Sequence, residues 1–360
     1  MDRIDDRDVV LERLPQPFHA SRGARGGIQT VNRRTPALAC ALLRTFAAAT
    51  FAIGLLAGCH SKGSADGPPI VLGFSQSGPD NIWRTANSDS IKSAATAAGI
   101  QLRFIDAQQS QPEQIESLRA LIAQRVDVIA FTPVAEAGWD EVLHEAKKAG
   151  IPVVLTARDI KVGDRSLYTS VLALDFVEEG RNAARWLLEF KLGRLGHTNI
   201  VELQGTPGSA LADDRRRGFQ EVIDTDPHFR IIRSESGEFT RTGGRQVMKK
   251  LLREEGKQIN VLYAHNDEMA LGAIEAIEQA RLKPGKDIII ISIDGIRGAF
   301  EAMAAGKLNV SVECNPLFGP QLMGITKDLV AHRRLPHRLV VEEFTYPMDL
   351  ARDALPARKY

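Results

Sequence analysis

Beginning at Ile70, short runs of consecutive apolar residues alternate with longer stretches in which apolar positions recur every three or four residues. The short runs are Ile70-Val-Leu-Gly-Phe74, Leu102-Arg-Phe-Ile105, Val128-Ile-Ala-Phe131 and Val153-Val-Leu155. Their length and aliphatic or aromatic character predict strands. Between them, the spacings Ile115, Leu118, Leu121, Ile122 and Trp139, Val142, Leu143, Ala146 each mark one apolar face of a helix. Continuous apolar strands alternating with amphipathic helices are the signature of parallel βαβ units, whose sheet is covered on both faces. The alternation then starts again. Ile200–Leu203, Phe229–Ile232, Val261–Tyr263 and Ile288–Ile293 read as strands, Met269, Leu271, Ile274 and Ile277 as a helical face, and a last strand ends at Glu313. The halves share no apparent sequence identity, so the repetition is architectural. The expected fold class is α/β, with two doubly wound parallel-sheet lobes and a ligand cleft between them.

Open α/β sheets bind ligands just beyond the carboxyl ends of their strands. Those positions hold Asp80, Trp83 and Arg84 after the first strand, Asp106 after the second, and Arg158 and Asp159 after the fourth. The second half adds Asp214, Arg215, Asn266, Asp294 and Glu313. Planar polar groups beside an aromatic suit a sugar, because vicinal hydroxyls both donate and accept while an indole face packs on the C–H surface. Other residues nearby read as structure. Asp267 opens an apolar helical run as an N-cap, Gly295 belongs to a turn, and His265 is a satisfied core histidine.

The chain has 360 residues, of which 44% are hydrophobic and 25% charged, enough for two domains with separate cores. A net charge of +1 leaves no electrostatic footprint for nucleic acid. The N-terminal region departs from the α/β pattern. Thr45–Gly58 is an apolar and small-residue run preceded by Arg33, Arg34 and Arg44, as in a signal peptide. It ends in Leu56-Ala-Gly-Cys59, which resembles a bacterial lipobox with Cys59 as the lipidated residue, and a polar tether to Pro68 follows. Two of the three cysteines, Cys40 and Cys59, fall in this N-terminal segment, and Cys59 is the lipidated residue, so Cys314 is left without an intramolecular partner. No Cys/His cluster with metal spacing is present, and no cofactor or metal is expected.

The runs Gly73-Phe-Ser-Gln76, Trp83-Arg84, Glu202-Leu-Gln-Gly-Thr206, Asp214-Arg215, Tyr263-Ala-His-Asn-Asp267 and Ser292-Ile-Asp-Gly295 occur in order and at matching spacings. In these, residues 69 to about 350 resemble the type I periplasmic sugar-binding proteins of the ribose-binding group, nearest the galactofuranose-binding branch. The resemblance implies a monosaccharide receptor of an ABC importer, monomeric, exported to the periplasm or cell envelope, delivering its sugar to membrane permease subunits. It implies that Trp83 stacks on the ring, with Arg84, Arg158, Arg215, Asn266 and Asp294 as polar contacts and Asp80, Asp106 and Glu313 as weaker ones. It also implies a first lobe of 69–174 plus 315–343 and a second of 175–314 plus 344–360, after a leader 1–58 and a tether 59–68. Two positions depart from the pattern: Ala157 stands where the family carries Asp, and Phe176 where Asn is common. If residues 157–159 are extended, Asp159 points the same way as Ala157 and supplies the missing acceptor.

Three rival readings were weighed. A sugar- or nucleotide-modifying enzyme lacks support, since no Gly-rich phosphate loop follows a strand. A repressor of the same fold needs a helix-turn-helix where this chain has a signal-like segment. A receptor presenting sugar to a chemoreceptor or sensor kinase stays open.

Overall fold

The computed structural model describes residues 68–78, 81–191 and 196–360; Cys59 and Asp80 lie outside them. The first sheet contains β1 (Val71–Gln76), β2 (Gln101–Asp106), β3 (Val128–Phe131), β4 (Val153–Ala157) and β5 (Ser170–Ala173), joined by β11 (Arg338–Val340). The second contains β6 (Thr198–Gln204), β7 (Phe229–Ser236), β8 (Val261–Ala264), β9 (Ile289–Asp294) and β10 (Val310–Glu313), joined by β12 (Thr345–Pro347). The strand orders are β11-β5-β4-β3-β1-β2 and β12-β10-β9-β8-β6-β7, the same doubly wound path written twice. Every pairing is parallel except β10 with β12.

Helices cover both faces of each sheet. They are α1 (Ile82–Ala98), α2 (Gln111–Ala123), α3 (Asp140–Lys148), α4 (Phe176–Lys191), α5 (Ala210–Ile223), α6 (Arg241–Glu254), α7 (Asp267–Gln279), α8 (Arg297–Ala304), α9 (Gly319–Val330) and α10 (Ala351–Ala354). The central strands show why their sequences are apolar throughout. Val128 and Ala130 of β3 enter one core cluster and Ile129 and Phe131 another, because successive side chains leave a strand on opposite faces. Val261 and Tyr263 of β8 part from Leu262 and Ala264 in the same way.

The chain passes between the sheets three times: at 174–175 after β5, at 314–318 after β10, and at 341–344 between β11 and β12. Of the strands not anticipated from the sequence, β5 has only four residues and β11 and β12 three each, too short to show a period. β12 returns antiparallel because it re-enters the second sheet directly from the third crossing, with no helix between.

Within the second lobe, α4 and α5 pack backbone to backbone. A Cβ added at Gly218 would lie 1.9 Å from the Val177 carbonyl oxygen, and one at Gly180 would lie 2.2 Å from that of Arg215. This approach sets Arg215 of α5 against Glu179 of α4. Gly218→Ala is therefore expected to force the helices apart and destabilise the fold by about 1–3 kcal/mol or more, as overpacking does. A urea midpoint equal to that of the parent protein would show that the helices have room to part.

Candidate functional site

The carboxyl ends of both sheets face a shared cavity of about 500 Å³. Its position follows from topology, since strand order reverses between β1 and β3 in one sheet and between β6 and β8 in the other. Helix N-termini also converge there. The cap residues Asn81, Ser209 and Asn266, whose side chains accept from Arg84, Ala212 and Met269 N–H groups, all line the cavity.

From the first lobe come Trp83, Arg84, Gln109, Thr132, Ala157 and Arg158. The Trp83 Nε1–H donates to the Cys314 carbonyl at 2.6 Å, which fixes the indole against the second crossing. Buried amides hold the strand ends. Gln114 Nε2 donates to the Thr132 carbonyl at 2.9 Å while its Oε1 accepts from Val134 N–H at 3.0 Å, and Gln76 bonds Asn87 and Ser88. Thr132 and Thr156 hydroxyls meet at 2.7 Å across β3 and β4.

The second lobe supplies a buried ionic group. Arg215 is 1% exposed, and its guanidinium donates Nε to Glu179 Oε2 at 2.7 Å, Nη1 to the His265 carbonyl at 2.6 Å and Nη2 to Asp294 Oδ1 at 3.3 Å. Burial opposes the guanidinium's charge, but Glu179 and Asp294 more than offset it and hold Arg215 charged. One cation thus serves two carboxylates. Burial pushes Asp294 well above the usual carboxylate range, against the pull of Arg215. Asp294 has φ 129°, a left-handed conformation costly for a side chain, and its carboxyl group borders the cavity.

His265 supports this arrangement. Its Nε2 sits 2.9 Å from Glu202 Oε1 while Nδ1 accepts from Gly205 N–H at 3.4 Å, the neutral tautomer in both contacts. Burial pushes its imidazole below the ordinary value, against the Glu202 hydrogen bond.

Of the residues named from the sequence, the structure brings together Trp83, Arg84, Arg158, Arg215, Asn266 and Asp294. It places the others elsewhere. Asp106 accepts from Gln108 N–H at 2.8 Å, and the resulting turn, with φ 49° at Gln108 and 62° at Gln109, carries Gln109 to the cavity wall instead. Asp214 pairs with Arg217 at 2.8 Å and lines, with Arg158 and Asp159, a smaller neighbouring cavity of about 270 Å³, and Glu313 is taken by Arg358 at 2.6 Å. Asp159 accepts from the Tyr168 hydroxyl at 2.7 Å and from its own neighbour Ile160 N–H at 2.8 Å. The extended geometry assumed for 157–159 does not hold, because Ala157 has φ 67° and the chain turns there. Asn266, not Asp267, caps α7; Asp267 is fully buried beneath it, accepting from the Ser292 and Ser311 hydroxyls and Ile296 N–H.

Two aromatic walls were not foreseen as such. Phe239 follows β7, and its ring occupies the space a Cβ at Gly205 would fill, 1.9 Å away. Phe176, noted only as a departure, opens α4 at the cavity edge, with the Arg215 guanidinium 5.8 Å from its ring centre.

A family model described as periplasmic binding protein domain matches residues 72–317. The chain belongs to this family. Its members are binding proteins, not enzymes, and the family places the chain in the periplasm as an exported protein. The galactofuranose-binding protein YtfQ of Escherichia coli K12 is 43% identical over 295 residues, covering 81% of this chain and 92% of that one. A Mycobacterium smegmatis structure in complex with β-D-fucofuranose is 47% identical, with TM-score 0.75 over 81% of this chain and 95% of that one. The arabinose-transporter binding protein of Shewanella sp. ANA-3, bound to α- and β-L-arabinofuranose, is 43% identical, with TM-score 0.75 over 80% and 95%.

Removing the buried cation should cost the fold itself. Arg215→Met leaves Glu179 and Asp294 buried without their counter-charge, so ligand-free unfolding free energy is expected to fall by about 3–5 kcal/mol. Chemical denaturation at neutral pH checks this, and a change within about 1 kcal/mol would mean that the two carboxyl groups find other partners or stay neutral.

Proposed function

We propose that this protein binds one monosaccharide, in its furanose form, within the cavity between the lobes and presents it to the permease of an ABC importer. The observation that carries the reading is the convergence of Trp83, Arg84 and Arg158 from the first lobe with Asn266, Arg215 and Asp294 from the second. An indole edge and several planar donors and acceptors around one cavity match a small polyol with an apolar ring face. The ligands of the three relatives, galactofuranose, fucofuranose and arabinofuranose, all have five-membered rings, which favours that ring form here.

Roles divide by lobe. Arg158 and Arg84 donate from the first lobe to hydroxyl oxygens. Asp294 accepts from hydroxyls while Arg215 holds its carboxyl group in place, so Arg215 acts on the sugar mainly through Asp294. Asn266 uses Oδ1 for the α7 cap and one N–H for the Phe239 carbonyl at 3.1 Å, leaving its second N–H for the ligand. A sugar touched by both lobes stabilises their closed arrangement by its differential affinity for it. Loss of the family's Asp at 157, with Asp159 turned to Tyr168, favours a sugar that offers no hydroxyl at that point.

Calorimetry of the purified receptor with methyl β-D-galactofuranoside, L-arabinose and D-fucose is expected to give one site per chain for at least one of them, with the sugar recovered unchanged. Arg158→Ala should weaken that binding about 30-fold, roughly 2 kcal/mol, while leaving ligand-free stability unaltered. Binding of none of the three, or turnover of any, would contradict the reading.

The membrane attachment is proposed from the sequence alone: Leu56-Ala-Gly-Cys59 and its polar tether suit a diacylglyceryl cysteine at the mature N-terminus. Palmitate labelling in a bacterial host should be lost in Cys59→Ser; retained labelling would place any lipid elsewhere.

A further inference from the structure

The three crossings meet at a cluster behind the cavity wall, which it reaches only through Cys314. Glu179 lies on α4 just after the first crossing, Cys314 starts the second, and Glu343 sits in the third. A carboxylate oxygen of Glu179, the Cys314 sulfur and a carboxylate oxygen of Glu343 all lie within 4.8 Å of one another. Glu179 is 1% exposed, and although its Oε2 accepts from Arg215, its Oε1 has no hydrogen-bond partner. Glu343 Oε1 accepts from Asn315 N–H at 3.0 Å, tying the third crossing to the second.

We propose that this hinge contains a proton-binding site, in which Glu179 and Glu343 share one proton, and that this proton holds the three crossings together. The charges around the pair are unbalanced. Arg215 approaches from α5, but it also serves Asp294 on β9; Glu313 on β10 is matched by Arg358; Cys314 is a thiol; and Asp267 on α7 adds a further acid behind Asp294. One guanidinium therefore faces Glu179, Asp294 and Glu343. A buried carboxylate and a half-buried one this close cannot both ionise cheaply, so the pair retains a proton that carboxyl groups in water lose. The shared O–H gives Glu179 Oε1 the donor it lacks. Burial pushes both groups upward, Glu179 against the pull of Arg215 and Glu343 with the added repulsion of Glu179. A metal ion suits the cluster less well, because Arg215 already places a positive charge on the Glu179 carboxyl group.

The sign of the effect is fixed. A carboxyl group whose proton is held more tightly in the folded state contributes stability that is complete at low pH and is lost as pH rises through its folded value. Glu343→Gln mimics the protonated form, keeping the acceptor for Asn315 and offering N–H toward Glu179. For the ligand-free full chain, parent and E343Q should melt together near about pH 5, and the parent should fall further by about pH 9, with E343Q the more stable there. Parallel profiles would overturn the proposal. So would a saturable rise in melting temperature with Zn²⁺ that E343Q loses, which would give the cluster to a metal. Infrared spectroscopy keeps the test open if E343Q does not fold. The parent at neutral pH should show the C=O stretch of a protonated carboxyl group that shifts when glutamate carboxyl carbons are labelled with ¹³C. Absence of a label-sensitive band would overturn the shared proton. Neither readout involves sugar, so their failure is separable from failure of the receptor reading.

Discussion

The buried guanidinium of Arg215 is the constraint on which the second lobe depends. Removing an arginine from water costs several kcal/mol unless every donor finds an acceptor and the charge is matched. Here Nε, Nη1 and Nη2 reach a helix carboxylate, a strand-end carbonyl and a cavity carboxylate respectively. Satisfying them requires α4 and α5 to touch, which Gly180 and Gly218 permit, and requires β8 and β9 to end where they do. The same contacts hold Asp294 in a backbone conformation that an aspartate would not adopt unaided. On the proposed reading, stability and ligand recognition are thus coupled through one side chain.

Among the described residues, the first lobe has no comparable charge at its centre. Its strand ends are held by neutral amides and hydroxyls, Gln76, Gln114, Thr132 and Thr156, and its cavity arginines 84 and 158 are partly exposed. That division suits a two-lobed receptor. One wall is preorganised, the other carries donors able to meet a ligand as the lobes approach, and Trp83 is bonded to the second crossing, where the lobes join. One apolar cluster also runs through the crossings, including Leu174, Cys314 and Val341, so the lobes share packing as well as chain.

Much of this was legible in the sequence because parallel strands buried on both faces are apolar at every position, and because ligand residues lie just past such strands. The nine anticipated strands and the six candidate residues that converge on the cavity follow from that rule. What it could not give has physical causes. Asp159 was read from extended alternation, but Ala157 adopts a left-handed φ that no alternation predicts. Asp106 and Glu313 sit at the right strand ends and are spent on a turn and on Arg358. Phe239 lies within reach of the same rule, in Gly237-Glu-Phe-Thr240 after β7. Glu179 and Glu343 were beyond it, since a helix residue and a crossing residue meet only through the tertiary path of the chain.

On the proposed receptor reading, the convergence of both sheets on one cavity means that a sugar is held by both lobes at once. A crystal structure of the receptor with methyl β-D-galactofuranoside, or whichever of the three sugars binds, tests this most directly. The account predicts a single sugar within hydrogen-bond reach of Arg158 on one side and Asp294 on the other, with the Trp83 ring against its C–H face. A bound sugar contacting one lobe alone, or sitting outside the cavity, would contradict it.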